Sequence, residues 1–220
     1  MKPLKSETQD AETLRELGSA SVQIVHDLKN QLNGLKLYAT FLRKRMEKAE
    51  RPADEIETLA KLITGLERAA GDMTALVRYG RGVELRRQNA DLARLVAEAA
   101  GGAEFRNEAG ECEGEFDPML LSEALKSITN RGRANGTETA ATADGSEVVL
   151  RREGSGTEGL ALVEWRGATG FGENGGDPFR GFAGGAGLRL ALAAKIIRAH
   201  GGEVAHEAGA VRVRLPLRSS

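Results

Sequence analysis

The chain has 220 residues, 40% of them hydrophobic and 29% charged, with a formal net charge of -1 at pH 7. That length holds one large or two small domains, and the near-neutral balance provides no bulk field for nucleic acid or an anionic membrane surface. A single cysteine, Cys112, excludes an intramolecular disulfide framework, and the lack of an apolar run of about 18 residues or of an apolar leader core in MKPLKSETQDAETLREL predicts a cytoplasmic location.

Residues 1–8 read as a frayed end, with a first helix expected from near Gln9 to Ala11 through to near Glu50. Its apolar or small positions are Leu14, Leu17, Ser21, Ile24, Leu28, Leu32, Leu35, Ala39, Leu42 and Met46. They step by three and four and trace one buried seam. Two successive steps of four, from Ile24 through Leu28 to Leu32, form a stutter with two open readings: a flexible point, or ordinary drift of a 3.6-residue helix against a heptad. Pro52 suits a first helical turn but not an interior, so residues 49–53 turn the chain into a second helix. There Ile56, Leu59, Ile63, Leu66, Ala70, Met73 and Val77 continue as a seam of about three heptads. A two-helix hairpin cannot close a core around both seams, which predicts dimerisation into a four-helix bundle.

Gly80 and Gly82 end that helix. Val83 to Arg87 reads as a short strand, and Asp91 caps a helix through Ala100 that stops at Gly101 and Gly102. Phe105 opens a poorly patterned stretch. Asp117 and Pro118 start a helix with an apolar face of Leu120, Leu121, Ala124, Leu125 and Ile128. Glu147 to Arg152 and Gly159 to Trp165 read as a hairpin, Gly167 to Gly187 as a Gly-rich segment, and Leu188 to His200 as an apolar helix ending at Gly201. Glu203 to Glu207 and Val211 to Leu217 make a last hairpin. The expected architecture is an all-α helical hairpin over residues 1–81, dimerising into a four-helix bundle, followed over residues 82–220 by an α/β two-layer sandwich.

His26 lies off the first seam, about 200° around the helix from Ile24 and Leu28, on a stripe with Lys29, Asn30 and Asn33. Its ring should face water or a partner rather than a core. On such a helix, His26, Asp27, Leu28, Lys29 and Asn30 resemble the H-box of bacterial histidine kinases, where an imidazole is phosphorylated and passes the phosphoryl group to an aspartate of a response regulator. The resemblance extends over nearly the whole chain. VELRRQNADLARLVAEAA is similar to the opening strand and helix of the kinase ATP-binding domain, DPMLLSEALKSITN to its N-box helix, DPFRGF to its F-box, and GAGLRLALAAKIIRAHGGEVAHEAG to its G2 box with the following helix and hairpin. For a chain resembling a sensor kinase, the absence of a membrane segment also implies that no sensing portion is attached.

The nucleotide positions implied by this resemblance depart from the family pattern. The N-box asparagine that coordinates Mg²⁺ falls on Arg131, with Asn130 one residue out of register and Ser127 at the preceding turn, and a guanidinium cannot ligate a metal that takes oxygen. The G1 aspartate that accepts from the adenine amino group is replaced by Arg166, and the next glycine position by Ala168. In the G2 box, Gly185, Ala186, Gly187 and Leu188 fit but Arg189 replaces a glycine. Little chain separates DPFRGF from the G2 helix, so a nucleotide-covering lid is short, and no Gly-Lys-Ser or Gly-Lys-Thr marks a P-loop. ATP binding is therefore not expected, nor is a resident cofactor. Mg²⁺ would come from the acidic pocket of a partner receiver domain.

Phosphoryl transfer between aspartates through a histidine needs no nucleotide. The resemblance then implies a dimeric histidine phosphotransferase, with His26 as nucleophile and Asp27 as the carboxylate accepting its other ring proton. Asn30 is an amide with two open readings: orienting water for dephosphorylation, as in kinases that double as phosphatases, or only accompanying the docked receiver. Asp27 as a plain solvated helix charge stays open. A docking patch is expected from Lys29, Asn33, Lys36, Leu37 and Phe41, the last two lying off the seam at i and i+4. Their packing against the second helix is the competing reading. His200, at a helix C-terminus where a cation is favoured, and His206, in a hairpin, need no chemistry. Expected partners are response-regulator receivers, an upstream hybrid histidine kinase and a second copy of the chain, with no nucleic acid and no membrane. The alternatives are a cytosolic sensor histidine kinase with a divergent ATP site, and a non-catalytic regulator that binds a receiver or kinase.

Overall fold

The computed structural model describes residues 4–49, 51–130, 147–154, 159–167, 171, 177–180 and 184–217. The chain divides into two compact units, Met1–Gly82 and Val83–Ser220.

The first unit pairs helix α1 (Leu4–Lys48) with helix α2 (Ala53–Gly80). Helix α1 begins earlier than the expected Gln9, because residues 5–10, KSETQD, contain neither glycine nor proline to stop it. Pro52 stands as the extended N-cap of α2, where its missing N–H costs nothing. Among the described residues, Ala39 on α1, and Ile63 and Ala75 on α2, are the buried apolar residues of this unit. The α1 seam divides along its length. Leu32 and Met46 are half-buried with Ala39, whereas Ile24, Leu28, Leu35 and Leu42 are 59%, 41%, 54% and 48% exposed. One helical partner covers only part of a seam this wide. No described helix is long and apolar enough to cross a membrane.

The second unit is built on a mixed sheet. Strands β2 (Glu104–Asn107), β4 (Glu147–Glu153), β5 (Leu160–Arg166), β6 (Glu203–Glu207) and β7 (Ala210–Pro216) form a five-stranded sheet in the order β2-β4-β5-β7-β6. Strand β2 runs parallel to β4 and the other pairs are antiparallel. A separate two-stranded ribbon joins β1 (Gln88–Asp91) to β3 (Glu113–Phe116). Alternation sends Val148, Leu150, Val163, Trp165, Val211, Val213 and Leu215 into the core. The core is closed by helices α3 (Leu92–Ala99), α4 (Pro118–Thr129) and α5 (Gly184–Ala199). The opposite sheet face is charged and largely self-paired, through Arg212 to Glu164, Arg166 to Glu164 and Glu147, and Arg214 to Glu153. Buried Glu164 would be pushed up by desolvation, but hydrogen bonds from Arg212 and Arg166 outweigh burial and hold its carboxyl below the usual range. This is the expected two-layer α/β sandwich.

Three local expectations are corrected. Val83 to Arg87 is not a strand: the Arg86 amide donates to Asp117 Oδ2 at 2.9 Å and the Arg87 guanidinium to the Ala199 carbonyl at 3.0 Å, while the ladder forms from Gln88 onward. Helix α5 starts at Gly184, ahead of Leu188, since burial of Leu188, Leu190, Ala191 and Leu192 overrides the poor helix propensity of Gly185 and Gly187. His200 is not a cation. It is 1% exposed, its Nε2 accepts the Asp117 amide at 3.0 Å, and its Nδ1–H donates to the Ile196 carbonyl at 2.8 Å. Those partners fix the neutral Nδ1–H tautomer, and burial pushes its pKa down. His206 stacks on Phe171, with ring centroids 5.5 Å apart.

The caps are as expected. Asp91 accepts the Ala93 amide at 2.9 Å to start α3, and Asp117 accepts the Leu120 amide at 3.0 Å to start α4. Burial would raise the pKa of Asp117, but its hydrogen bonds from Leu120 and Arg86 more than offset that and hold it low.

Candidate functional site

The face of α1 opposite its seam carries the residues that resemble the H-box. The His26 and Asp27 side chains are 55% and 60% exposed. Asp27 Oδ1 lies 3.7 Å from His26 Nδ1, and Asn30 Nδ2, one turn on, lies 3.4 Å from the same nitrogen. No hydrogen bond to Nε2 occurs among the described residues, and more than half of the His26 side chain is exposed. Such an imidazole can act as a nucleophile through Nε2 in the tautomer that carries its proton on Nδ1.

Around it, Asn33 is exposed and Lys29 half-buried. Leu37 and Phe41 are 69% and 65% exposed, which removes the reading in which they pack against α2. At 1.5 Å per residue they lie roughly 16 to 23 Å along the helix from His26, within the span of a single small domain. Lys36 does not join this patch: its ammonium reaches across to Glu67 of α2 at 2.7 Å. Tyr38, 69% exposed, was not singled out in the sequence. Its signal is a large aromatic lying off the seam, one position after Leu37.

The second unit has a cavity of about 420 Å³ against the outer face of α4, lined by Met119, Ser122, Glu123, Lys126, Ser127, Asn130 and Arg189. Of the degenerate positions, Arg189 borders it, with Asn130 and Ser127. Arg131 and Ala168 lie outside the described residues. Arg166 is elsewhere: its guanidinium is held on the charged sheet face by Glu164 at 2.6 Å and Glu147 at 3.2 Å. The residue at the end of β5 that turns toward α4 is Trp165, 4% exposed, whose indole N–H donates to Thr129 Oγ1 at 3.0 Å. Among the described residues the lining offers a metal one carboxylate, Glu123, and the side chains of Ser122, Ser127 and Asn130, with Lys126 and Arg189 as cations that would attract an anionic group. No cluster of three or more His, Cys, Asp or Glu side chains that could hold a metal occurs among the described residues.

No family model matches the sequence, and no curated protein matches it. Solved structures do. Full-length ShkA in complex with AMPPNP is similar over 90% of this chain and 45% of its own, with a TM-score of 0.59 at 18% identity. Histidine kinase ThkA in complex with the response regulator protein TrrA is similar over 98% of this chain and 66% of its own, with a TM-score of 0.52 at 16% identity. The Acinetobacter baumannii histidine kinase AdeS is similar over 84% of this chain and 95% of its own, with a TM-score of 0.50 at 13% identity. The chain thus spans less than half the length of ShkA. Its fold is a histidine-kinase-like core.

Proposed function

We propose that the chain is a histidine phosphotransferase of a two-component phosphorelay, carrying a phosphoryl group between receiver-domain aspartates through His26 without using ATP. The observation that carries this reading is a contrast within one chain: a solvent-exposed His26 beside Asp27 on α1, and an α4 cavity whose described lining gives a metal ion a single carboxylate, Glu123, with Arg189 at its rim. In the forward step the Nε2 lone pair attacks phosphorus, the P–O bond to the receiver aspartate breaks, and its electron pair returns to that carboxylate. The proton on Nδ1 stays on the ring, facing Asp27, which offsets the positive charge that develops there. The return step is the reverse.

A dimer follows from the uncovered seam. Ile24, Leu28, Leu35 and Leu42 lie on one edge of α1, and burying each against a second copy is worth roughly 1.5 to 3 kcal/mol. Leu37 and Phe41, on the His26 side, remain for the receiver. ThkA, solved with its response regulator, supports this choice of partner class by fold analogy.

The kinase alternative rests on Asn130 and Ser127, two residues of the cavity lining whose side chains carry oxygen. Titration calorimetry with Mg-ATP separates the two. The phosphotransferase reading expects no heat up to about millimolar nucleotide, whereas a micromolar isotherm would favour the kinase.

A further inference from the structure

Asp27 and Asn30 approach the same ring atom with opposite demands. A neutral imidazole carries one N–H, and the nitrogen without it holds the lone pair. The Asp27 carboxylate, 3.7 Å from Nδ1, is an acceptor only, so it favours the proton on Nδ1 and leaves Nε2 nucleophilic. The Asn30 amide nitrogen, 3.4 Å from Nδ1, is a donor only, so it favours the lone pair on Nδ1 and the proton on Nε2. With the proton on Nε2, the exposed nitrogen has no lone pair for phosphorus, and the nitrogen that has one is hemmed in by both side chains. Asp27 stands beyond ordinary hydrogen-bond distance, while Asn30 is the nearer of the two.

We propose that Asn30 is a positioning residue that acts as a brake: its amide holds resting His26 in the tautomer that cannot accept a phosphoryl group, and Asp27 must win Nδ1 before transfer proceeds. This deepens the phosphotransfer reading and rests on it for its consequence in rate, but the tautomer claim stands on the geometry alone. Both contacts are long and exposed, so the two tautomers are close in energy and a modest change at Nδ1 tips the balance.

The test uses the full chain with ¹⁵N-labelled histidine at about pH 8.5. The His26 ring nitrogens are identified by their absence in His26→Ala. In Asn30→Ala the fraction of His26 carrying its proton on Nδ1 rises, and single-turnover labelling by saturating phosphorylated receiver accelerates about two- to tenfold, the range one modest hydrogen bond imposes on an equilibrium. In Asp27→Asn the tautomer ratio moves the other way. An unchanged ratio in Asn30→Ala overturns the proposal, as does a fall in the Nδ1–H fraction, which would mean that the amide oxygen accepts from the ring. If the wild-type chain takes no label from any receiver, the phosphotransfer reading fails, and the tautomer ratio still decides the role of Asn30.

Discussion

His26 stands with 55% of its side chain in solvent, so truncating it opens no cavity. His26→Ala is expected to melt within well under 1 kcal/mol of wild type yet take no phosphoryl group from a receiver. Asp27→Asn should still be labelled but about tenfold slower, because the nucleophile remains and only a long, exposed carboxylate contact favouring its reactive tautomer is lost. Wild-type labelling of His26→Ala would move the site elsewhere. His200 is the opposite case, a ring buried against the Asp117 amide and the Ile196 carbonyl. Its lowered pKa means the folded state resists a proton that the unfolded chain takes up near pH 6.5. Its stabilising contribution is therefore complete above about pH 6.5 and is lost as pH falls from there toward the folded value. Asp117, also held low, adds a further loss only below about pH 4. Thermal melts of the chain should lose stability between pH 7.5 and 5.5, and His200→Ala, destabilised by about 2–4 kcal/mol, should flatten that dependence. An equally steep acid loss in His200→Ala would assign it to other groups.

At the scale of elements, the hairpin after α5 depends on close backbone approach. A Cβ on Gly202 would overlap the Arg214 carbonyl oxygen and come within 2.8 Å of Leu215 Cδ2, so Gly202→Ala should destabilise the sandwich by about 1–3 kcal/mol in denaturant titration. An unchanged midpoint would mean that β6 and β7 shift freely. What the sequence disclosed at this scale followed the strength of local signals. Asp91 and Asp117 announced their helices because a capping carboxylate before an apolar period is a local signal. Strand β1 was misplaced because its register is set by pairing with β3, some 25 residues on in the chain, which no local pattern encodes. Residues Glu104–Asn107 and Glu113–Phe116 form strands too short for alternation to stand out. Arg166, expected at the position of the G1 aspartate, lies on the charged sheet face while its neighbour Trp165 faces α4, since one residue of register moves a side chain to the opposite face.

For the molecule as a whole, the exposed α1 seam predicts self-association. Replacing Leu28 and Leu35 together by glutamate should yield monomers in sedimentation at micromolar concentration, whereas wild type sediments as a dimer, and a wild-type monomer would contradict the bundle. The exposure of His26 was legible from helical phase alone, because an angle of about 200° from the seam is a geometric consequence of sequence spacing. The engagement of Lys36 by Glu67 was not, since it depends on how two helices face each other. The central claim is that phosphoryl groups reach His26 from an aspartyl phosphate and not from ATP. It is tested most directly by incubating the chain in parallel with γ-labelled Mg-ATP and with a labelled phosphorylated receiver, then measuring acid-labile, base-stable phosphate on the chain. The account predicts label from the receiver, absent in His26→Ala, and none from ATP; label from ATP on His26 would contradict it.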